Sequence, residues 1–267
     1  MSTKPESAKN IEELAETLLP ERQKILSILT EKKWFRKTDF AIQKKVMTSP
    51  PDFDGYLADL MTRREEYGGV QVLRLLDLIR GNYNLISLFE VRAQQTNQIF
   101  TYEYVSSKFG RNPGYRGVIF LEVNGEIRYF ILRQTIKFAL GTSLFETIGG
   151  YIQFGNNQLL NMPKAVEDQM KKELGFKELV VKRFIDLGLL AVDPAVSSNC
   201  TSLFAAIIDA SGVNLERLEK SVFHTKPVSF QLVVEPIERL HEYIHKTDES
   251  FFLACILRLA SLGIIKV

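Results

Sequence analysis

Residues 146–176, ETIGGYIQFGNNQLLNMPKAVEDQMKKELGF, contain the side chains in this sequence that are best placed to do chemistry. A pair of glycines and a polar loop precede a run with helical spacing. Gln169, Lys172 and Glu173 are three and four residues apart, so a helix brings their side chains to one surface. Carboxylates at these positions would suit a divalent cation, which prefers several charged oxygen ligands. The spacing would therefore let these three side chains converge on one ligand.

The residue types at these positions oppose a metal. Gln169 is neutral, and Lys172 brings a positive charge to the same surface. Two unit charges about 4 Å apart interact by about 4 kcal/mol at an effective dielectric constant of about 20. The lysine would therefore repel a divalent ion, but it can pair with Glu173 or bind a diphosphate as a point charge. The pattern favours the binding of an anion over the binding of a metal ion.

Strand and turn signals surround this segment. In residues 115–134, Asn124 and Gly125 separate two apolar runs, which predicts a hairpin with a type I′ turn. A strand near 144–148 runs into the paired glycines, and Pro163 begins a helix that extends to Leu174, with Gly175 as its C-terminal cap. Further elements are predicted as strands at 151–153, 179–187, 203–209 and 228–234, and as helices at 238–245 and 249–262. This order predicts an α+β fold with a mixed sheet.

The N-terminal part has a different pattern. Residues 1–10 are polar and are predicted to be disordered. Apolar residues then recur at helical spacing to about residue 80, and Tyr67-Gly68-Gly69 is interpreted as the end of a helix. The predicted division is a helical region over residues 1–82 and a second domain over residues 83–267.

Residues 85–262 resemble the Nudix hydrolase superfamily. Its signature has a glycine, five residues, a glutamate, seven residues, and then R-E-U-x-E-E-x-G-U, where U is a bulky aliphatic residue. DQMKKELGF, residues 168–176, aligns with the end of this signature, so Gln169 and Lys172 replace two of its glutamates and Glu173 keeps the third. Asn156 replaces the first conserved glutamate, and eleven residues separate it from Asp168 instead of seven.

Flanking features resemble the ADP-ribose pyrophosphatase branch of this superfamily. Arg133-Gln134 is similar to its R-Q pair, LFETIGG to its L-E-L-P-G-G, and residues 187–199 to its G-x-x-x-x-D-P-G-x-S-x segment. The resemblance implies an α/β/α sandwich with a mixed sheet, a nucleotide-diphosphate ligand such as ADP-ribose, and a homodimer. The residues it assigns to ligand binding are Arg133, Glu146, Gly149, Gly150, Lys172 and Glu173.

Three functional readings follow from the altered signature. The favoured reading is a degenerate Nudix domain, or pseudoenzyme, that binds its ligand as a sensor or interaction module, with no catalytic residue and no cofactor. A second is a scaffold, in which Glu167 and Lys171 form an i,i+4 pair on a solvated helix face. A third is retained hydrolysis with Mg²⁺ or Mn²⁺, where Glu173 would be joined by substitute ligands at Glu146, Glu167 and Asp168.

Two other groups of residues are candidate sites. Six basic residues surround Trp34, Phe35 and Phe40 within Lys32–Lys45, a pattern that can bind nucleic acid. Some Nudix-like proteins are ligand-responsive regulators of transcription, so DNA binding stays an alternative, although a core role for the aromatic residues is favoured. His241 and His245 have metal-ligand spacing, but a solvated helix is the favoured interpretation.

Composition limits the remaining function classes. The 267 residues are 45% hydrophobic and 25% charged with a net charge of +2, which is too small to indicate nucleic acid or membrane binding by itself. The polar N-terminus is unlike a signal peptide, and no apolar run reaches the length of a membrane span. Cys200 and Cys255 are predicted to be free thiols in a reducing compartment. We therefore expect a cytoplasmic protein.

Overall fold

The computed structural model describes residues 20–50, 53–107, 114–137, 141–151, 162–174, 180–195, 197, 199–212, 222–225 and 228–266. The predicted disorder of residues 1–10, the strand at 152–153 and the cap at Gly175 lie outside these residues. The chain forms two compact units. Unit 1 comprises Met1–Pro113, Gln153–Gly155 and Ala191–Asn199, and unit 2 comprises Gly114–Ile152, Asn156–Leu190 and Cys200–Val267.

Unit 1 combines short helices with an antiparallel sheet whose strand order is β1-β2-β3-β4. Its core contains Trp34 and Phe35 from the helices and Phe89 and Tyr104 from the sheet, and all four are buried. The two rings of Trp34 and Phe89 meet edge to face, with centroids 5.5 Å apart. The described elements are α1 (Pro20–Glu31), α2 (Lys33–Arg36), α3 (Phe40–Met47), α4 (Asp54–Met61), β1 (Glu66–Tyr67), β2 (Val70–Arg80), β3 (Asn84–Ala93) and β4 (Ile99–Ser107).

The predicted helical region is wrong for residues 70–80, which form β2. Gly68 and Gly69 have φ of 47° and 89°, and they turn the chain between β1 and β2 instead of ending a helix. Two consecutive residues with positive φ are typical of a tight hairpin turn. The first compact unit also continues to Pro113, beyond the predicted boundary at residue 82, because β3 and β4 complete the same sheet.

Unit 2 is built on a mixed sheet with the order β11-β12-β6-β5-β10-β9, to which β7 and β8 add at β6 and β5. The central pair β5–β10 is parallel, and β5–β6 and β6–β12 are antiparallel. The described elements are β5 (Gly114–Val123), β6 (Glu126–Lys137), β7 (Thr142–Glu146), β8 (Ile148–Tyr151), α5 (Met162–Leu174), β9 (Val181–Ala191), β10 (Cys200–Asp209), β11 (Val222–Thr225), β12 (Val228–Pro236), a 3-10 turn (Ile237–Arg239), α6 (Leu240–Lys246) and α7 (Ser250–Ser261).

Alternation along the central strand places apolar side chains on both faces of this sheet. Ile119 and Leu121 pack in the cluster that includes Val166 and Met170 of α5. Val118 and Phe120 pack in the opposite cluster with residues of α6 and α7. A strand that is buried on both faces is expected where helices cover both sides of a sheet. The predicted α+β fold, with α5 on one face and α6 and α7 on the other, is confirmed.

The local predictions in unit 2 match the structure closely. Asn124 and Gly125 have φ of 54° and 86° and connect β5 to β6, which confirms the hairpin. The predicted strand at 144–148 is interrupted at Thr147, which separates β7 from β8. The helix predicted to begin at Pro163 begins at Met162 and ends at Leu174.

Neither cysteine forms a disulfide. Cys200 is half-buried at the start of β10, and Cys255 is buried in α7. Burial raises the pKa of the Cys255 thiol to about 12. Because the thiolate is the reactive form, Cys255 is expected to be chemically inert in the folded protein. Among the described residues, no helix is long and apolar enough to cross a membrane.

Candidate functional site

A buried carboxylate, Glu146, ends strand β7 and is surrounded by three cations. Arg133 donates from both Nε and Nη2 to Oε1 of Glu146, each at 2.8 Å. Lys137 Nζ lies 2.5 Å and Arg116 Nη1 lies 3.6 Å from Oε2. Glu146 itself is 2% exposed. We call Arg116, Arg133 and Lys137 the cation cluster.

The strand register explains why these four residues meet. Arg133 on β6 is the direct cross-strand partner of Glu146 on β7. Lys137 is four residues beyond Arg133, so the two side chains leave the same face of β6. Arg116 comes from β5, where it pairs with Gly149 of β8. The R-Q pair and the glycine pair seen in the sequence therefore belong to one set of paired strands.

The cation cluster carries more positive charge than Glu146 neutralises. The side chains of Arg133, Arg116 and Lys137 are 15%, 23% and 35% exposed, so each cation is partly accessible from solvent. Arginine and lysine donors in partly desolvated surroundings form strong charge-assisted hydrogen bonds with phosphate oxygens. The arrangement can therefore attract and hold an anion.

Gly149 has a structural reason to be a glycine. A Cβ at this position would lie 2.1 Å from the carbonyl oxygen of Tyr115 and 2.7 Å from Cδ of Arg116. The missing side chain lets β8 approach β5 and leaves room for a member of the cation cluster. Gly150 is the next residue of β8 and pairs with Tyr115. A direct role of either glycine in ligand binding remains a prediction.

Glu249 is a second buried carboxylate next to this cluster, and sequence analysis missed it. Its Oε2 accepts a hydrogen bond from the Thr147 N–H at 2.7 Å, and its Oε1 accepts one from the Thr147 hydroxyl at 3.0 Å. The residue precedes α7 and lies 102 positions from its partner, so no local pattern could have indicated the contact. Burial raises the pKa of Glu249 above its ordinary value, although Thr147 and Arg116 oppose the shift.

This raised pKa predicts a pH dependence of stability. Folded Glu249 binds its proton more tightly than unfolded Glu249, so its stabilising contribution is present below the ordinary glutamate pKa of about 4.3. That contribution is lost as the pH rises through the higher pKa of the folded state. We expect wild type to lose stability relative to Glu249→Gln as the pH rises from about 4.3, measured by urea unfolding.

Glu242→Gln is the control of opposite sign. Glu242 accepts hydrogen bonds from Arg239 and Lys246, which lower the pKa of its carboxyl to about 2. The contribution of Glu242 to stability is therefore present above the ordinary glutamate pKa and is lost as the pH falls. The free energy of unfolding of wild type should rise relative to that of Glu242→Gln as the pH rises from acid conditions. If the difference between wild type and Glu249→Gln does not change with pH, the account of Glu249 is wrong.

The described carboxylates of α5 are paired with lysines. Glu167 accepts from Lys171 at 2.8 Å, which confirms the predicted i,i+4 pair, and Asp168 accepts from Lys164 at 2.7 Å. The Lys171 hydrogen bond is the main reason that the pKa of Glu167 is lowered. The side chains of Gln169, Lys172 and Glu173 lie outside the described part of the helix, so their assigned roles stay predictions.

The described residues do not fit a divalent cation. Glu146, Glu167 and Asp168, which were the substitute ligands for retained hydrolysis, each have a cationic partner within 4 Å. Among the described residues, no group of three or more metal-ligating side chains occurs. Neighbouring lysines and arginines occupy the oxygens that Mg²⁺ or Mn²⁺ would need.

Two other sequence candidates are placed elsewhere by the structure. Trp34 and Phe35 are 0% and 1% exposed, so they belong to the core of unit 1 and cannot stack on bases, whereas Lys33, Arg36 and Lys37 are exposed. His241 and His245 are exposed on α6. The carboxylate nearest to them in sequence, Glu242, already pairs with Arg239 and Lys246.

The segment 187–199, likened to a ligand loop, leaves β9 and joins unit 1 from Ala191 onward. Asp193 Oδ1 accepts from the Ala195 N–H at 3.2 Å, which forms a tight turn. The Tyr102 hydroxyl donates to the Ala195 carbonyl, and Asn199 Oδ1 accepts from the Ser107 N–H at 3.2 Å. These bonds fix the turn against β4.

No protein-family model and no curated protein matches this sequence. Among solved structures, the fold is similar to one described as the crystal structure of an ADP compounds hydrolase, with a TM-score of 0.54 and 13% sequence identity. The match covers 76% of this chain and 100% of that chain. Unit 2 is little more than half of the chain, so the match also includes part of unit 1. The likeness supports the Nudix-like fold that the sequence resemblance implied.

Proposed function

We propose that unit 2 binds a nucleotide-diphosphate ligand, with ADP-ribose as the model compound, through the cation cluster and without hydrolysing it. The observation that carries this proposal is the placement of Arg116, Arg133 and Lys137 around one buried carboxylate. A diphosphate bridge has one negative charge on each phosphate, which complements the positive charges of the cation cluster. The fold likeness to a hydrolase of ADP compounds supports the same ligand class.

We propose that unit 2 does not hydrolyse its ligand because its described carboxylates are paired with cations. In the described part of unit 2, Glu146, Glu167 and Asp168 each contact a lysine or an arginine. A divalent ion would have to displace these cations before it could polarise a phosphoryl oxygen or activate a water molecule. The cation cluster can instead meet the diphosphate directly.

Hydrolysis can be tested with a panel of nucleoside-diphosphate-linked compounds in Mg²⁺ or Mn²⁺. We expect no release of nucleotide or phosphate products above the rate without protein, and the same result for Glu173→Gln. Turnover by wild type that disappears in Glu173→Gln would replace this proposal with retained metal-dependent hydrolysis.

Restoring carboxylates to α5 is expected to create metal binding. Positions 169, 172 and 173 lie within the helix at spacings that let side chains converge. Gln169→Glu with Lys172→Glu makes the local charge more negative by three units, so Mn²⁺ or Mg²⁺ should bind with a Kd of about 1 mM or tighter. Calorimetry should show this for the double variant and no heat of binding for wild type. Equal metal affinity in the two proteins would contradict the proposed role of these positions.

The role as a sensor or interaction module, the homodimer and the cytoplasmic location remain predictions that accompany this proposal. A sensor needs a ligand-dependent change that a partner can detect. Sedimentation with and without ADP-ribose would test the first two together, since a dimer that forms or dissociates on binding is such a change.

A further inference from the structure

Unit 1 contains a cavity of about 390 Å³ that the proposed function of unit 2 does not use. Its apolar lining includes Phe89 and the pair Val72 and Val91, which are direct partners on β2 and β3. Tyr67, Tyr102 and Tyr104 bring three phenol rings to its wall. Small-molecule sites are concave, mostly apolar and of this size, with a few polar groups that fix orientation. We call this space the tyrosine cavity.

The polar groups of the tyrosine cavity are held in place by the fold. Tyr102 is fixed by its hydrogen bond to the Ala195 carbonyl, and the hydroxyl of Tyr67 accepts from the Arg64 N–H at 2.6 Å. Pro194 and Ser197 of the turn that packs on β4 complete the wall. The rings are therefore ordered before any ligand arrives, which lowers the entropic cost of binding.

The charge in the cavity wall is balanced. Arg63 stacks on the ring of Tyr104, with 4.6 Å between its guanidinium carbon and the ring centroid. Its Nη2 also donates to Oδ1 of Asp59 at 3.2 Å, and the Tyr104 hydroxyl donates to the other oxygen of Asp59. The Asp59 side chain is fully buried and balances the charge of Arg63, whose Nε is buried and has no hydrogen-bond partner among the described residues. Because the lining is largely aromatic and apolar and Arg63 is already paired with Asp59, the cavity favours an uncharged ligand.

We infer that the tyrosine cavity is a binding site for an uncharged, planar aromatic molecule. A flat ring system gains binding free energy from offset or edge-to-face contact with the three tyrosines. It gains more from burial of its apolar surface against Val72, Val91 and Phe89. All the residues that line the cavity belong to unit 1.

Phenylnaphthylamine, a neutral dye that fluoresces in apolar surroundings, is the probe for this site. Trp34 is the single tryptophan of the chain, and it contacts Phe89 in the cavity lining. Binding should therefore quench Trp34 emission by energy transfer to the dye and saturate at one dye per chain. The sulfonated analogue, anilinonaphthalene sulfonate, should bind at least about tenfold more weakly.

Filling the cavity provides the decisive comparison. Val72→Phe should weaken dye binding at least about tenfold, and Val91→Phe serves as the second filling variant if the first does not fold by circular dichroism. Gln71→Phe adds the same ring at an exposed neighbouring position of β2 outside the cavity and should leave binding unchanged. The inference is overturned if wild type does not bind the dye, if folded filling variants bind as wild type does, or if the sulfonated dye binds equally well.

Discussion

Glu146→Gln is expected to lower the free energy of unfolding by about 3–5 kcal/mol. Glutamine keeps the size of the side chain but removes the negative charge that Arg116, Arg133 and Lys137 all contact. Removing one partner of a buried ion pair leaves the other charges uncompensated in a poorly solvated site. Urea unfolding followed by circular dichroism would measure the loss.

The matched control is Glu122→Gln, which removes a glutamate from the same sheet. The side chain of Glu122 is 15% exposed and that of its partner Lys182 is 54% exposed, so the pair is better solvated than Glu146 and its loss should cost less, about 1 kcal/mol. ADP-ribose should also stabilise Glu146→Gln more than wild type, because its diphosphate supplies the missing negative charge. A loss no larger than that of the control would show that Glu146 does not hold the cation cluster together.

Gly149→Ala is expected to destabilise the protein by about 3 kcal/mol and to abolish ADP-ribose binding. The new methyl group would lie 2.1 Å from the Tyr115 carbonyl oxygen, which belongs to the backbone of β5 and cannot rotate away. Relief of this contact requires β8 to separate from β5, and the same movement displaces Arg116 from the cation cluster. Thermal unfolding and calorimetry would measure the two effects.

Gly212→Ala is the matched substitution for this test. A Cβ at Gly212 would have no described atom within 4 Å, so the change should cost within about 0.5 kcal/mol. Wild-type stability in Gly149→Ala would show that β8 and β5 tolerate separation. In that case strand packing would not explain why position 149 is a glycine, and a direct role of the glycine pair in ligand binding would gain support.

The local patterns of unit 2 could be predicted because short-range rules decide them. The turn between β5 and β6 requires two residues that tolerate positive φ. Asn124 and Gly125 occupy it, with φ of 54° and 86°. The helix after Pro163 follows from its spacing and its N-terminal proline. The family resemblance assigned Arg133 and Glu146 to ligand binding without pairing them, and their contact follows from the cross-strand register of β6 and β7.

Long-range contacts could not be predicted in this way. Glu249 meets Thr147 across 102 positions, and Arg116 joins the site only because β5 pairs with β8. β2 was not predicted because its apolar residues form a long run. Such a run is compatible with either a helix or a strand when the strand pairing is unknown. Trp34 and Phe35 show the same limit, since an aromatic residue among lysines suits a core and a binding surface equally well until its burial is known.

Calorimetric titration of ADP-ribose in the presence of EDTA tests the central claim most directly. We predict saturable binding to wild type without a metal, at least about tenfold weaker binding, or about 1.4 kcal/mol, to Lys137→Met, and unchanged binding to the control Lys182→Met. Lys137 is suited to this test because its side chain is 35% exposed and can be removed without leaving a cavity in the core. Binding that appears only after Mg²⁺ is added, or equal affinity in wild type and Lys137→Met, would contradict the account.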